Sequence, residues 1–183
     1  MQYDSALVGK RIASGGDRRV YRYGTNQVIK FSSLAFLIGR KLHDKLVRDY
    51  EICHRHFPEF VLETIDATPP SARAHIEIQP YIAGVPLRKE HLVDTDTRKQ
   101  FLQIHASLER MLAAGYPPID LLGSGGVLAP CLSNIIVDEN LRLRIIDATL
   151  FEGKSLGPIG TVFDALIPLA LARQRSLVRR FLY

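Results

Sequence analysis

The sequence is poor in the residues that build covalent scaffolds. Cys53 and Cys131 are its two cysteines among 183 residues, which gives no disulfide framework and suits a reducing compartment. No long hydrophobic run is present. The longest apolar stretches, around Leu34–Ile38 and Ala165–Ala172, are too short or too interrupted to span a bilayer, so no membrane span is expected. The opening MQYDSALVGK lacks a basic region followed by an apolar one, so no secretory signal is expected and the expected location is cytoplasmic. Basic residues are not interleaved with aromatics, and no zinc-finger or RNA-recognition pattern occurs. The net charge of +5, concentrated in Lys10–Arg22, Arg40–Arg55 and Arg173–Arg180, is therefore read as solvated faces, with no nucleic-acid partner expected. What remains is an ordinary globular composition, 46% hydrophobic and 23% charged, long enough for one domain or for two small lobes sharing a cleft.

No repeat or low-complexity segment divides the chain. The first third reads as strands over Ala6–Ala13, Val20–Tyr23 and Gln27–Phe31, with SGGD and YGTN as breakers. Leu34–Phe57 reads as a helix whose apolar stripe is Leu42, Leu46, Cys53 and Phe57. Two strands, Phe60–Ala67 and His75–Pro80, follow, and Gly84-Val-Pro86 is read as a link between halves 1–84 and 85–183. The second half offers a helix over Thr97–Ala114, with Thr95 or Asp96 as N-cap and Gly115 as stop. After an irregular stretch comes a hairpin, Ile135–Val137 and Leu141–Ile146, and then a helix over Thr161–Leu182 in which Pro168 marks a kink or a start.

Four local features could carry chemistry. The small-residue turn in IASGGDRRVYRY, with Gly15 and Gly16 at its tip, lets backbone N–H groups approach phosphate oxygens, and is equally a plain hairpin tip. Lys30, in VIKF, sits in an apolar strand ten residues after Val20; a lysine there meets an anion or points to solvent. Asp49 falls inside the apolar stripe of its helix, at 100° per residue, whereas Glu51 points away. A buried carboxylate demands a partner, so Asp49 is the expected mate of Lys30 and Glu51 is expected to be solvated. Finally, Asn134 and Asp147 bracket the hairpin in SNIIVDENLRLRIIDATLF, which sets an amide oxygen and a carboxylate at adjacent strand ends. Hard oxygen donors of this kind suit Mg²⁺ bridging to substrate phosphates.

With IASGGDRRVY, VIKF, QPYIAGVPL and LSNIIVDENLRLRIID in this order, the chain resembles the protein-kinase-like superfamily, and looks most similar to the short bacterial YrbL-type proteins named for the PhoP regulatory network. The resemblance covers about Ile12 to Asp147. It implies an α+β, two-lobed minimal kinase-like fold: a β-rich N-lobe carrying one helix and a mostly α C-lobe carrying a hairpin. It also implies ATP and Mg²⁺ as ligands. Lys30 would hold the α/β-phosphates and Asp49 would hold Lys30. Asp147 would bind Mg²⁺ with Asn134 as second ligand, and Gln79, Tyr81 and Ile82 would meet the adenine.

Departures from the pattern bear on activity. In H-R-D-x-x-x-x-N the Asp accepts the substrate proton; the six residues ending at Asn134 are APCLSN, with Ala129 in the Asp place. D-F-G has become Asp147-Ala-Thr149, and no A-P-E follows. Loss of a general base costs typically about 10²–10⁴-fold, which slows phosphoryl transfer without abolishing it, and Asp120 or Asp138 could substitute. Three readings result: a minimal phosphotransferase with a non-standard catalytic loop, a pseudokinase acting as a regulatory module, and a small-molecule kinase for a sugar or an envelope-lipid head-group. The acceptor is not specified by the sequence.

Overall fold

The computed structural model describes residues 3–14, 18–32, 39–72, 74–123, 130–153, 156 and 158–183. The N-terminal half is a five-stranded sheet. Its strands are β1 (Val8–Ser14), β2 (Arg18–Tyr23), β3 (Gln27–Ser32), β4 (Ile65–Asp66) and β5 (His75–Pro80), in the order β1-β2-β3-β5-β4. Helix α1 (Arg40–His56) connects β3 to the later strands. The register sets Val20 opposite Lys30 and Lys30 opposite Glu77. Because side chains alternate across a strand, one face carries Arg18, Val20, Val28, Lys30, Glu77 and Gln79. The other carries Tyr21, Ile29, Phe31, Ile76 and Ile78, which form a small apolar cluster with Tyr23.

A second sheet of three strands, β6 (Gly84–Arg88), β7 (Cys131–Asp138) and β8 (Leu143–Ile145), lies in the C-terminal half. The segment read as a link, Gly84-Val-Pro86, is thus itself a strand, paired with β7 through Gly84↔Asp138 and Pro86↔Ile136. Glycine is required at its start, where a Cβ would run into the Val137 carbonyl. The expected strand Phe60–Ala67 also divides. Its first part turns to β8, with Leu62 N–H donating to Ile145 O at 3.1 Å and Ile145 N–H donating to Phe60 O at 2.8 Å; only Ile65–Asp66 joins the larger sheet. These bonds stitch the two sheets together.

Helix α2 (Thr95–Ala113) is capped by Asp94, whose carboxylate accepts the Thr97 N–H at 2.8 Å. The cap falls one residue before the expected Thr95, since Asp94 has the extended backbone an N-cap needs. Helix α3 (Pro158–Leu182) runs through Pro168 rather than starting there. The main core joins all three helices to the smaller sheet: Cys53 from α1 and Phe57 just after it, Phe101, Ile104 and Met111 from α2, Leu177, Val178 and Phe181 from α3, and Leu132, Ile135, Leu143 and Ile145 from the strands. At about 25 cal/mol per Å² of apolar surface removed from water, this cluster is the principal stabilising feature. Among the described residues no helix is long and apolar enough to cross a membrane. Both cysteines are free and buried, and burial, reinforced by Asp49 and Asp147, pushes the Cys53 thiol far up. We expect iodoacetamide at pH 8 to leave Cys53 unmodified until the chain is unfolded; mass-spectrometric labelling of the native protein checks this.

Candidate functional site

Between the two sheets lies a cleft of about 490 Å³. The inward face of β2, β3 and β5 forms its roof, contributing Arg18, Val20, Val28, Lys30 and Gln79. Asp120, Asn134 and Asp147 line it from below. The structure therefore brings Lys30, Asn134 and Asp147 to one cavity, together with Gln79, Tyr81 and Ile82 at its other end. Gly15, Gly16 and Ala129 lie outside the described residues.

Lys30 is buried, and its ammonium donates to the Ile146 carbonyl, one residue before Asp147. Burial lowers its pKa, against the opposing pull of Asp147; Arg18 lowers it further and Glu77 raises it. The acids that face Lys30 are thus Asp147 and Glu77, and the expected partner Asp49 is elsewhere. Asp49 binds Lys45, one helical turn earlier on the same face, accepts from Arg48 at 3.3 Å, and accepts the Leu150 N–H at 3.0 Å. A local partner at i,i−4 on the buried stripe outcompetes a lysine on another element. Asp49 is indeed completely buried and Glu51 exposed; the pairing differs, not the burial.

Glu77 and Arg18 are the residues that sequence reasoning passed over. Arg18 stands where the last glycine of a phosphate-binding turn would be, and its side chain reaches into the cleft. It pairs with Glu77 at 3.2 Å and Asp147 at 3.1 Å, and donates to Thr149 Oγ1 at 3.0 Å. Burial opposes ionisation of Glu77, but Arg18, His75 and Lys30 outweigh it and hold the carboxyl well below the usual carboxylate range. The signal was the run HIEIQ, whose polar residues alternate as on a half-exposed strand; here His75, Glu77 and Gln79 are all buried. Alternation marked the two faces but did not say that the polar one was covered.

Asp147 is held without the usual glycine. Thr149 donates to its Oδ1 through both N–H (3.2 Å) and Oγ1 (2.6 Å). Asn134 holds the neighbouring loop: its Nδ2 donates to Asp120 O at 2.8 Å, and its own carbonyl accepts the Ile146 N–H at 3.0 Å. The carboxylate next to Asn134 is therefore Asp120, fourteen residues earlier in sequence. It is anchored by Asp120 N–H to Thr149 O at 2.8 Å and by the bridge of Ile119 to Leu150. Its Oδ1 accepts the Leu122 and Gly123 N–H groups at 2.8 and 3.1 Å. Burial, reinforced by Asp147, raises its pKa to about 6 despite those two bonds. Gly123 has φ +66°, and a Cβ there would lie 2.5 Å from Asn134 Oδ1, so glycine is needed to let the loop close over Asn134. Asp138, the other candidate base, serves the hairpin turn, accepting from Asn140 and Arg142 N–H.

The donor set fits a hard divalent cation: carboxylates at Asp147 and Asp120 with the Asn134 amide oxygen, lining one cleft. At the far end, Thr64 Oγ1 donates to Leu62 O at 3.0 Å and so accepts from Gln79 Nε2 at 2.6 Å. That leaves Gln79 Oε1 buried without a protein partner among the described residues, an acceptor suited to an amine on a planar base.

No protein-family model and no curated protein matches the sequence. Solved structures do match. The kinase domain of PknI from Mycobacterium tuberculosis aligns over 76% of this chain and 56% of its own, with 16% identity and a TM-score of 0.50. A single-substitution variant of that domain aligns over 82% and 59%, with 15% identity and the same TM-score. The chain has a protein-kinase-like fold. It spans under three-fifths of the solved kinase domains it matches. In that fold, β1–β5 with α1 make up the β-sheet N-terminal region, and α2, α3 and the three-stranded sheet the more helical C-terminal part.

Proposed function

We propose that this chain binds a Mg²⁺-nucleoside triphosphate, ATP in the first instance, between its lobes and transfers the γ-phosphoryl group. The observation that carries the reading is the convergence of Lys30, Asp120, Asn134 and Asp147 on one cleft that ends in the unsatisfied acceptor of Gln79. Lys30 supplies positive charge to the phosphates, and Gln79 with the backbone at Tyr81 and Ile82 receives the base. Asp147 and Asn134 would hold Mg²⁺, which when bound neutralises phosphate charge. Asp120 takes the proton of the acceptor hydroxyl as its oxygen bonds to the γ-phosphorus and ADP leaves. Asp120 thereby fills the role that the local spacing assigns to Ala129. The motif order supports kinship with YrbL-type proteins of bacterial cytoplasm.

A second reading, a binding-only pseudokinase, is favoured by Arg18. Its guanidinium occupies Asp147 Oδ1 at 3.1 Å, where it competes with a metal ion. Transfer requires Arg18 to move from Asp147 onto the phosphates. Calorimetric titration with a non-hydrolysable ATP analogue, with and without Mg²⁺, tests the binding. We expect Mg²⁺ to tighten binding by the wild type at least about tenfold, and Asp147→Ala to remove that gain. Binding that ignores both Mg²⁺ and the substitution would sink the metal role. Incubation with γ-labelled ATP then separates the readings: label in protein or metabolite fractions marks transfer, and its absence marks a binding module.

A further inference from the structure

At the N-terminal end of β5, α1, β4 and β5 bring His43, Asp66 and His75 together, with ligand atoms all within 4.8 Å of one another. His43 Nδ1 and His75 Nδ1 face each other at 3.0 Å. His75 Nε2 lies 3.0 Å from Glu77 Oε1, and a carboxylate there fixes the ring proton on Nε2. The His75 Nδ1 lone pair therefore faces His43, with the Thr68 hydroxyl also near it at 3.3 Å. With its proton on Nε2, His43 turns an Nδ1 lone pair toward that of His75, and its Nε2–H side faces Asp66 Oδ2 at 3.6 Å. Two imidazole lone pairs facing each other beside a carboxylate are the donor set of a cation.

We propose that His43, His75 and Asp66 form a binding site for a divalent transition metal of the Zn²⁺ class, distinct from the nucleotide cleft. Two imidazole nitrogens on a tetrahedral Zn²⁺, at Zn–N of about 2.0–2.1 Å, stand about 3.3 Å apart, close to the spacing here. Asp66 is exposed, and its Oδ1 accepts the Thr68 N–H at 3.0 Å, leaving Oδ2 to ligate. Glu77 orients His75 from behind, the carboxylate–histidine–metal arrangement that raises ligand basicity. The site opens on a cavity of about 450 Å³, which leaves the fourth position to water. Arg40 also lines that cavity, but is drawn to Asp44 at 3.2 Å. Bound metal would staple α1 to the β4–β5 pair and stiffen the N-lobe.

The test is Zn²⁺ titration of the chelator-treated full chain against a chromogenic competitor. Wild type takes up one equivalent tightly, and His43→Ala weakens uptake at least tenfold while its circular dichroism spectrum stays that of the wild type. Asp66→Asn weakens it less. The double substitution of His54 and His56 by Ala, which removes another histidine pair of α1, leaves it unchanged. Co²⁺ in place of Zn²⁺ gives the intense visible absorption of a four-coordinate site, lost in His43→Ala. Uptake of less than one equivalent, or uptake undiminished in His43→Ala, overturns the proposal.

Discussion

Asp120→Asn is expected to lower phosphoryl transfer about 10²–10⁴-fold while making the protein more stable at neutral pH. Both effects have one origin. Asp120 lines the cleft with its pKa raised to about 6 by burial and by Asp147, against the ordinary carboxylate value of about 3.9 in an unfolded chain. A carboxyl whose folded pKa lies above its unfolded one favours the folded state fully only below the unfolded value. That contribution is lost as pH rises through about 6. At pH 8 the wild type therefore carries a buried charge costing about 2–3 kcal/mol, which the amide avoids. Asn keeps the Oδ1 acceptor for Leu122 and Gly123 N–H, so the loop geometry persists. Denaturant melts should show the variant more stable at pH 8, and the gap closing to under about 1 kcal/mol near pH 4. γ-Labelled ATP gives the other arm. A variant that transfers at the wild-type rate removes Asp120 from the chemistry; one less stable at pH 8 removes the account of its environment. The pairing of lost activity with gained stability is the signature of a group placed for function at a cost to the fold.

Periodicity located most of the elements, because strands and helices are set by local pattern and the apolar stripe of α1 is strict. What it could not supply was anything decided by partners distant in sequence. Gly84–Arg88 reads as a link, and it becomes a strand only because β7 lies alongside. Phe60–Ala67 reads as one strand, and it divides because β8 captures its first residues. The same limit governs the site. Lys30, Asn134 and Asp147 were legible since each ends or interrupts an apolar strand. Asp120 was legible only as one of two substitute bases, because a fixed count back from Asn134 lands on Ala129; its place beside Asn134 rests on a hydrogen bond between residues fourteen apart. Arg18 and Glu77 were hidden by type, since a charged residue on an alternating strand is read as solvated until the opposing lobe is in place.

Asp49→Leu should destabilise the protein by about 3–5 kcal/mol, and adding Lys45→Met should recover most of that loss. Asp49 is fully buried and Lys45 is 4% exposed. Removing the carboxylate strands the ammonium in an apolar setting with the Leu150 carbonyl, at 3.1 Å, as its remaining bond, and takes the acceptor from the Leu150 N–H. An uncompensated buried charge costs several kcal/mol, whereas exchanging a whole buried pair for apolar side chains of similar size is often close to neutral. Arg48 is buffered differently: it is 44% exposed and retains Glu152. A double-mutant cycle in denaturant measures the coupling. A single-variant loss under about 1 kcal/mol, or a double variant as unstable as the sum of its parts, would refute the buried-pair account. The pair also has a functional reach. Lys45 and Asp49 together grip both backbone groups of Leu150, which bridges to Ile119 next to Asp120 and follows Thr149, the residue that holds Asp147. In the double variant the core is restored but that grip is not. Its stability should therefore return while its Mg²⁺-dependent nucleotide affinity stays below that of the wild type, which assigns this α1 pair to aligning the cleft rather than to holding the fold.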